Sequence, residues 1–164
     1  MLLQSLQQVR DELFASFKGL SDEQLNVKPS AERWSIAQIL LHLQQSESYF
    51  VNLARQELDR ESARVEEKPI AAYTDSPEKL KSPAEPSSDF KSGEELVSRL
   101  NHSRQKVNSF LNDADEKSLA DKSLQHPAFG RLSLKQAIEF IGHHEKRHLR
   151  QINEVKEWLQ IKTS

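Results

Sequence analysis

The sequence predicts an all-α protein, and three observations carry that prediction. Apolar residues recur at three- and four-residue intervals through four long segments, which is the signature of amphipathic helices. Three of those segments open on Ser-x-x-Gln or Ser-x-x-Glu, in which the serine and the residue three on cap a helix start reciprocally. No run alternates with period two for long enough to mark a strand, and 4 glycines in 164 residues leave few tight turns.

The first helix is expected from about residue 2 to 19, on the stripe Leu2, Leu6, Val9, Leu13, Phe17 and Leu20. The second starts at Ser35 with Gln38 in the reciprocal position and reaches about residue 59, burying Ile36, Ile39, Leu40, Leu43, Phe50, Ala54 and Leu58. The third starts near Ser92, with Glu95 three on, then Leu96, Leu100, Val107 and Leu111. The fourth opens at Ser133 with Gln136 and runs through Leu134, Ile138, Ile141, Ile152, Val155 and Leu159. Residues 60–91 hold Pro69, Pro77, Pro83 and Pro86 among serines and charges, so they cannot be one helix. A connection of that length lets the second and third helices run parallel, and its composition predicts more mobility than the helices. Residues 113–132, including His126-Pro127-Ala128-Phe129-Gly130, form a second irregular connection.

The bulk numbers restrict the function classes. The chain of 164 residues fits one domain, taken as residues 1–164, with room for a real core. Lys+Arg 23 against Asp+Glu 25 gives a net charge of -2, so no electrostatic capture of nucleic acid is expected. With 0 cysteines, disulfides, thiolate metal sites and a cysteine nucleophile are excluded. No stretch approaches a membrane span, and Met1-Leu2-Leu3-Gln4-Ser5 lacks a basic start or long apolar run, so a cytoplasmic location is expected.

His144-Glu145-Lys146-Arg147-His148 is the stretch with the most chemistry in it. Residues four apart share one helix face, so two imidazoles can converge on one ion. The string also matches H-E-x-x-H, the zinc-protease signature. After His148 only Glu154 and Glu157 remain as carboxylates, on the same helix, so a third ligand must come from upstream. His42, at the flank of the second helix's stripe, could supply it, or be an ordinary partly buried histidine. Three histidines from two helices with one position open are the ligand set of a catalytic zinc or nickel-type site. Glu145 and Glu47 also face inward, where an unpartnered charge is costly, and either could act as a base or hold a ligand imidazole. His143 falls on the solvent side. His102 and His126 are expected at the surface, and Trp34 and Trp158 as core or rim aromatics.

Trp34-Ser35, Leu41-His42-Leu43, His126-Pro127, Phe129-Gly130 and His144 through Ile152 together resemble the DinB/YfiT-like superfamily, from about residue 2 to the C-terminus. The resemblance implies a four-helix bundle with up-down-down-up connection and a three-histidine site, often holding nickel or zinc. It implies His42, His144 and His148 as ligands, and a homodimer. It further implies thiol S-transferase chemistry with a low-molecular-weight thiol such as bacillithiol or mycothiol, or hydrolase or isomerase chemistry on a small molecule. A non-catalytic, metal-stabilised helical module and a bundle with no ion are the competing readings. A zincin protease fits worse, for want of a downstream ligand and of strands to bind a peptide.

Overall fold

The computed structural model describes residues 2–75 and 85–160. Four long helices dominate it: α1 (Leu2–Phe17), α3 (Ile36–Leu58), α4 (Gly93–Asp113) and α6 (Leu134–Trp158). Two short helices, α2 (Asp22–Asn26) and α5 (Glu116–Asp121), a 3-10 turn (Ile70–Asp75) and two strands, β1 (Ser123–His126) and β2 (Gly130–Ser133), complete the described residues. The first helix ends two residues before the expected position.

The caps form where the sequence places them. Ser35 and Gln38 make the full reciprocal box, at 3.1 and 3.0 Å. At Ser92 and Ser133 the serine accepts the expected backbone N–H, from Glu95 and Gln136, both at 3.1 Å. The partner side chains there do not reach back, a correction to the reciprocal pattern. Glu95 turns to Arg99, and the Gln136 amide clamps both the N–H and the carbonyl of Lys68, at 2.9 and 2.7 Å. The start of α6 is thereby tied to the long crossover. A second full box, Ser21 with Gln24, opens α2.

Side-chain register fixes the helix directions. Leu6 meets Gly142 and Ser16 meets Lys156, so α1 and α6 run parallel. Glu47 meets Arg104 and Arg55 meets Asp113, so α3 and α4 run parallel. His42 lies against His148 and Phe50 against Phe140, so α3 is antiparallel to α6. The result is a four-helix bundle connected up-down-down-up, as the long crossover and the resemblance both implied. Residues 76–84, on which much of the expected crossover mobility bears, lie outside the described residues. Gly142 permits the close approach of α1: a Cβ there would sit 3.2 Å from Leu6 Cδ2.

The absence of strands is corrected. β1 and β2 pair antiparallel, Ser123 opposite Ser133 and His126 opposite Gly130, across a three-residue turn closed by Gly130 at φ +71°. Each strand is four residues long, too short for a period-two pattern to stand out, and Leu124 and Leu132 pack into the core.

The core divides into two apolar halves. One gathers Leu6, Phe50, Val107, Phe110, Ile138 and Ile141, the other Leu13, Leu40, Leu43, Leu100, Ile152 and Val155. Along each long helix the change from one half to the other falls at buried polar residues: Arg10 on α1, Glu47 on α3, Ser103 and Arg104 on α4, His144 and Glu145 on α6. A polar layer therefore crosses the middle of the bundle.

Candidate metal centre

His42 from α3 and His144 and His148 from α6 occupy the edge of that layer where these helices face each other. His144 Nε2 stands 3.1 Å from His42 Nε2 and 3.1 Å from His148 Nε2. One ligand atom from each of the three histidines lies within 4.8 Å of the others. Two nitrogens bound at about 2.1 Å around a tetrahedral ion sit about 3.4 Å apart, so the donor spacing fits one small divalent cation.

The electrostatics suit that donor set. Burial, then the nearby His148, lowers the His42 pKa to about 4. Burial lowers His148 to about 4 as well, against the hydrogen bond to Gln151. His144 falls well below its ordinary value, through burial and then through the neighbouring imidazoles and Arg147. All three rings are thus neutral near pH 7 and offer lone pairs, as ligands must. Gln151 Oε1 lies 2.7 Å from His148 Nδ1. With the amide oxygen accepting, Nδ1 carries the ring proton and Nε2 is left free to ligate.

Aromatic groups wall the cluster. Trp34 lies 5.2 Å from the His42 ring, Phe140 stacks 5.5 Å from His144, and Tyr73 of the 3-10 turn lies 6.2 Å from His144. Arg147 covers Tyr73, its guanidinium 4.7 Å from the ring centroid. His144 is buried, whereas His42 and His148 are half-buried, so the cluster opens toward the surface on their side.

Glu145 and Glu47 do not hold imidazoles, which corrects the role expected of them. Glu145 sits a quarter-turn or so around α6 from His144 and faces α1 and α4. Its Oε1 accepts from Arg10 Nε at 3.1 Å and Arg104 at 2.8 Å, with a further short contact from the other end of the Arg10 guanidinium. Glu47 accepts from Arg10 at 3.0 Å, from Arg104 at 2.6 Å and from the Ser103 hydroxyl. The remaining guanidinium donors reach the backbone carbonyls of Leu100 and Leu6, at 2.9 and 3.1 Å. Each long helix contributes one member of this quartet. Burial opposes the Arg10 charge, but Glu145 and Glu47 outweigh it and leave its pKa raised. For Glu145 burial wins over both arginines, and its pKa is raised.

Against this geometry the relatives can be placed. The profile of the DinB superfamily matches residues 5–152. The chain belongs to the DinB superfamily. The uncharacterized protein YuaE of Bacillus subtilis (strain 168) is 38% identical to this DinB-superfamily member over 156 residues, covering 93% of this chain and 96% of YuaE. Among solved structures, TT2238, a four-helix bundle protein, superposes with TM-score 0.65 at 17% identity, covering 93% of this chain and 96% of its own. YfiT from Bacillus subtilis, described as a probable metal-dependent hydrolase with an unusual four-helix bundle topology, gives TM-score 0.67 at 16% identity, covering 98% of this chain and 87% of its own. These structural likenesses establish the fold.

Three other histidines of this DinB-superfamily chain complete the comparison with the sequence. His102 is exposed, as expected. His143 is only half-buried rather than solvated, with Nδ1 3.3 Å from the Thr74 hydroxyl. His126, expected at the surface, is 1% exposed. The hairpin turns it inward, where it stacks 4.7 Å from Phe50 and lies 4.4 Å from Phe140, and its Nδ1 accepts the Ala128 N–H at 3.0 Å. Sequence reasoning passed over Arg10, Arg104 and Tyr73, and gave Gln151 a place in the closing motif but no role. Gln151 had a visible signal, three residues after a candidate ligand on its own helix face. Tyr73 had none, because its place depends on the path of the crossover.

Proposed function

We propose that this protein is a divalent-metal-dependent enzyme acting on a small-molecule substrate, with His42, His144 and His148 holding nickel or zinc. The single observation that carries the reading is the convergence of three neutral imidazole nitrogens, at 3.1 Å for two of the pairs, on one partly open point. The description of YfiT as a probable metal-dependent hydrolase supports the same direction.

A divalent ion bound there supplies Lewis acidity and lowers the pKa of a coordinated water or thiol. The chain's own residues do the rest. Three neutral ligands leave the full double charge undiluted, and among the described residues no carboxylate joins the three-histidine group. Gln151 fixes the His148 tautomer, Trp34 and Phe140 hold the rings from the sides, and the half-exposed edge at His42 and His148 admits substrate. Glu145 and Glu47, tied to arginines, are taken out of the general-base role. Hydrolase and thiol S-transferase chemistry both follow from an acidified ligand. Because the chain supplies no cysteine, a transferase would take its thiol as a cosubstrate. A homodimer is part of this reading, to be checked by sedimentation equilibrium.

Elemental analysis of untagged protein tests the core of it. Wild type should carry about one nickel or zinc per chain, His144→Ala none, and binding of low-molecular-weight thiols by calorimetry should weaken sharply after metal removal. Metal retained by His144→Ala would overturn the site. Equal thiol binding with and without metal would remove the transferase branch.

A further inference from the structure

The quartet and the three-histidine cluster share one layer of the bundle, sealed above and below by the two apolar halves of the core. His144 and Glu145 are consecutive residues, with Cα atoms about 3.8 Å apart. Glu47 follows His42 by little more than one helical turn. Arg10 and Arg104 bring two positive charges into that layer and Glu47 and Glu145 bring two negative ones, so the four sum to zero. Half-buried Arg147, beside His144, adds positive charge on the other side. A dication is then bound in an environment whose charge depends on every member of the quartet, in a part of the molecule where water screens poorly. Glu145 bears on this most directly. Its Oε1 takes all the hydrogen bonds, and its Oε2 is buried and accepts none.

We propose that the quartet of Arg10, Glu47, Arg104 and Glu145 sets the divalent-cation affinity of the three-histidine site by holding its own contribution to the shared polar layer at zero net charge, with Glu145 as its most influential member. The inference rests on the proposed metal site and adds to it a role for four residues that touch no ligand. They act through the field of the layer, as positioning and tuning groups.

The sign of the effect separates this role from a structural one. Zinc affinity is measured at pH 8 by competition with a chromophoric chelator, for wild type, Glu145→Gln, Glu47→Gln, Arg10→Gln, Arg104→Gln and the double variant Arg10→Gln/Glu145→Gln. Removing a carboxylate charge leaves the quartet at +1 and should weaken zinc binding on the order of ten- to a hundredfold, with Glu145→Gln the larger. Removing a guanidinium leaves it at -1 and should tighten binding or leave it unchanged. The double variant should return close to wild type. Any variant that loses helical circular dichroism leaves the comparison, and the remaining members of opposite sign decide it. Affinities that fall in all variants regardless of sign, or that stay constant, overturn the inference alone. A wild type that binds no zinc, nickel or cobalt overturns the proposed function and the inference with it.

Discussion

The middle layer of this bundle contains two polar clusters built on opposite principles. In the quartet, two guanidinium groups meet two carboxylates, and the other donors end on backbone carbonyls. In the histidine cluster, three neutral rings turn nitrogens toward one another, with few protons among them to share. The first is closed by the chain itself in every position but Glu145 Oε2. The second is completed only by something that accepts lone pairs. The contrast shows how a burial pattern separates structure from function: both clusters cost desolvation, but only one offsets most of it with partners from its own chain.

The comparison breaks first at Arg10. Arg10→Ala leaves Glu145 and Glu47 short of a buried partner and should cost about 3–5 kcal/mol in urea unfolding of the metal-free protein. His144→Ala should cost much less under the same conditions. A loss at His144 equal to that at Arg10 would erase the distinction between the clusters.

Acid should act on the histidine side. His42, His148 and His126 have pKa values lowered from 6.5 to about 4 in the folded chain, so the unfolded chain binds more protons between those limits. Their contribution is complete above pH 6.5 and is lost as pH falls toward 4, by at most roughly 3 kcal/mol for each group. Glu145, with its raised pKa, acts in the opposite sense: its contribution is greatest at low pH and fades as pH rises above 4.5. His144 and His143 are lowered in the same sense, and Glu139 is raised like Glu145. Five histidines therefore stand against two carboxyls, and metal-free protein should lose stability steeply between pH 6.5 and 4 in thermal melts. A flat profile would show that the rings are hydrated when no ion is present.

Gln151 gives a smaller effect. Gln151→Ala frees the His148 ring and should weaken metal binding about 10- to 100-fold while leaving metal-free stability nearly unchanged. The smallest effect belongs to His143, whose ring points at Thr74 and not into the cluster. His143→Ala should keep full metal and change stability by less than about 1 kcal/mol. Loss of metal there would move the site around the helix.

Much of this was legible in the sequence because it is local. Ser35 with Gln38, Ser92 and Ser133 announce helices through hydrogen bonds three residues long. His144 and His148 announce a shared face through helical geometry alone, and His42 follows from the stripe of its own helix. Arg10 was legible too, four residues after Leu6 and three before Leu13, and Arg104 stands in the same relation to Leu100 and Val107. Both were passed over because arginine is so rarely fully buried. The inward Glu47 and Glu145 were the clue, since two buried carboxylates call for two buried cations. His126 was not legible. Its burial depends on a hairpin of four-residue strands, and no periodicity survives at that length.

The parallel pairing of α1 with α6 has a consequence for the birth of the molecule. Arg10 and Glu145 are 135 residues apart in the chain. At a synthesis rate of about 5–20 residues per second, α1 emerges roughly 7–27 seconds before Glu145, the more distant of its two carboxylate partners. During that time Arg10 can meet only Glu47 of its two carboxylates, and the face of α1 that packs on α6 stays bare. The bundle of four helices therefore closes only once α6 has been made.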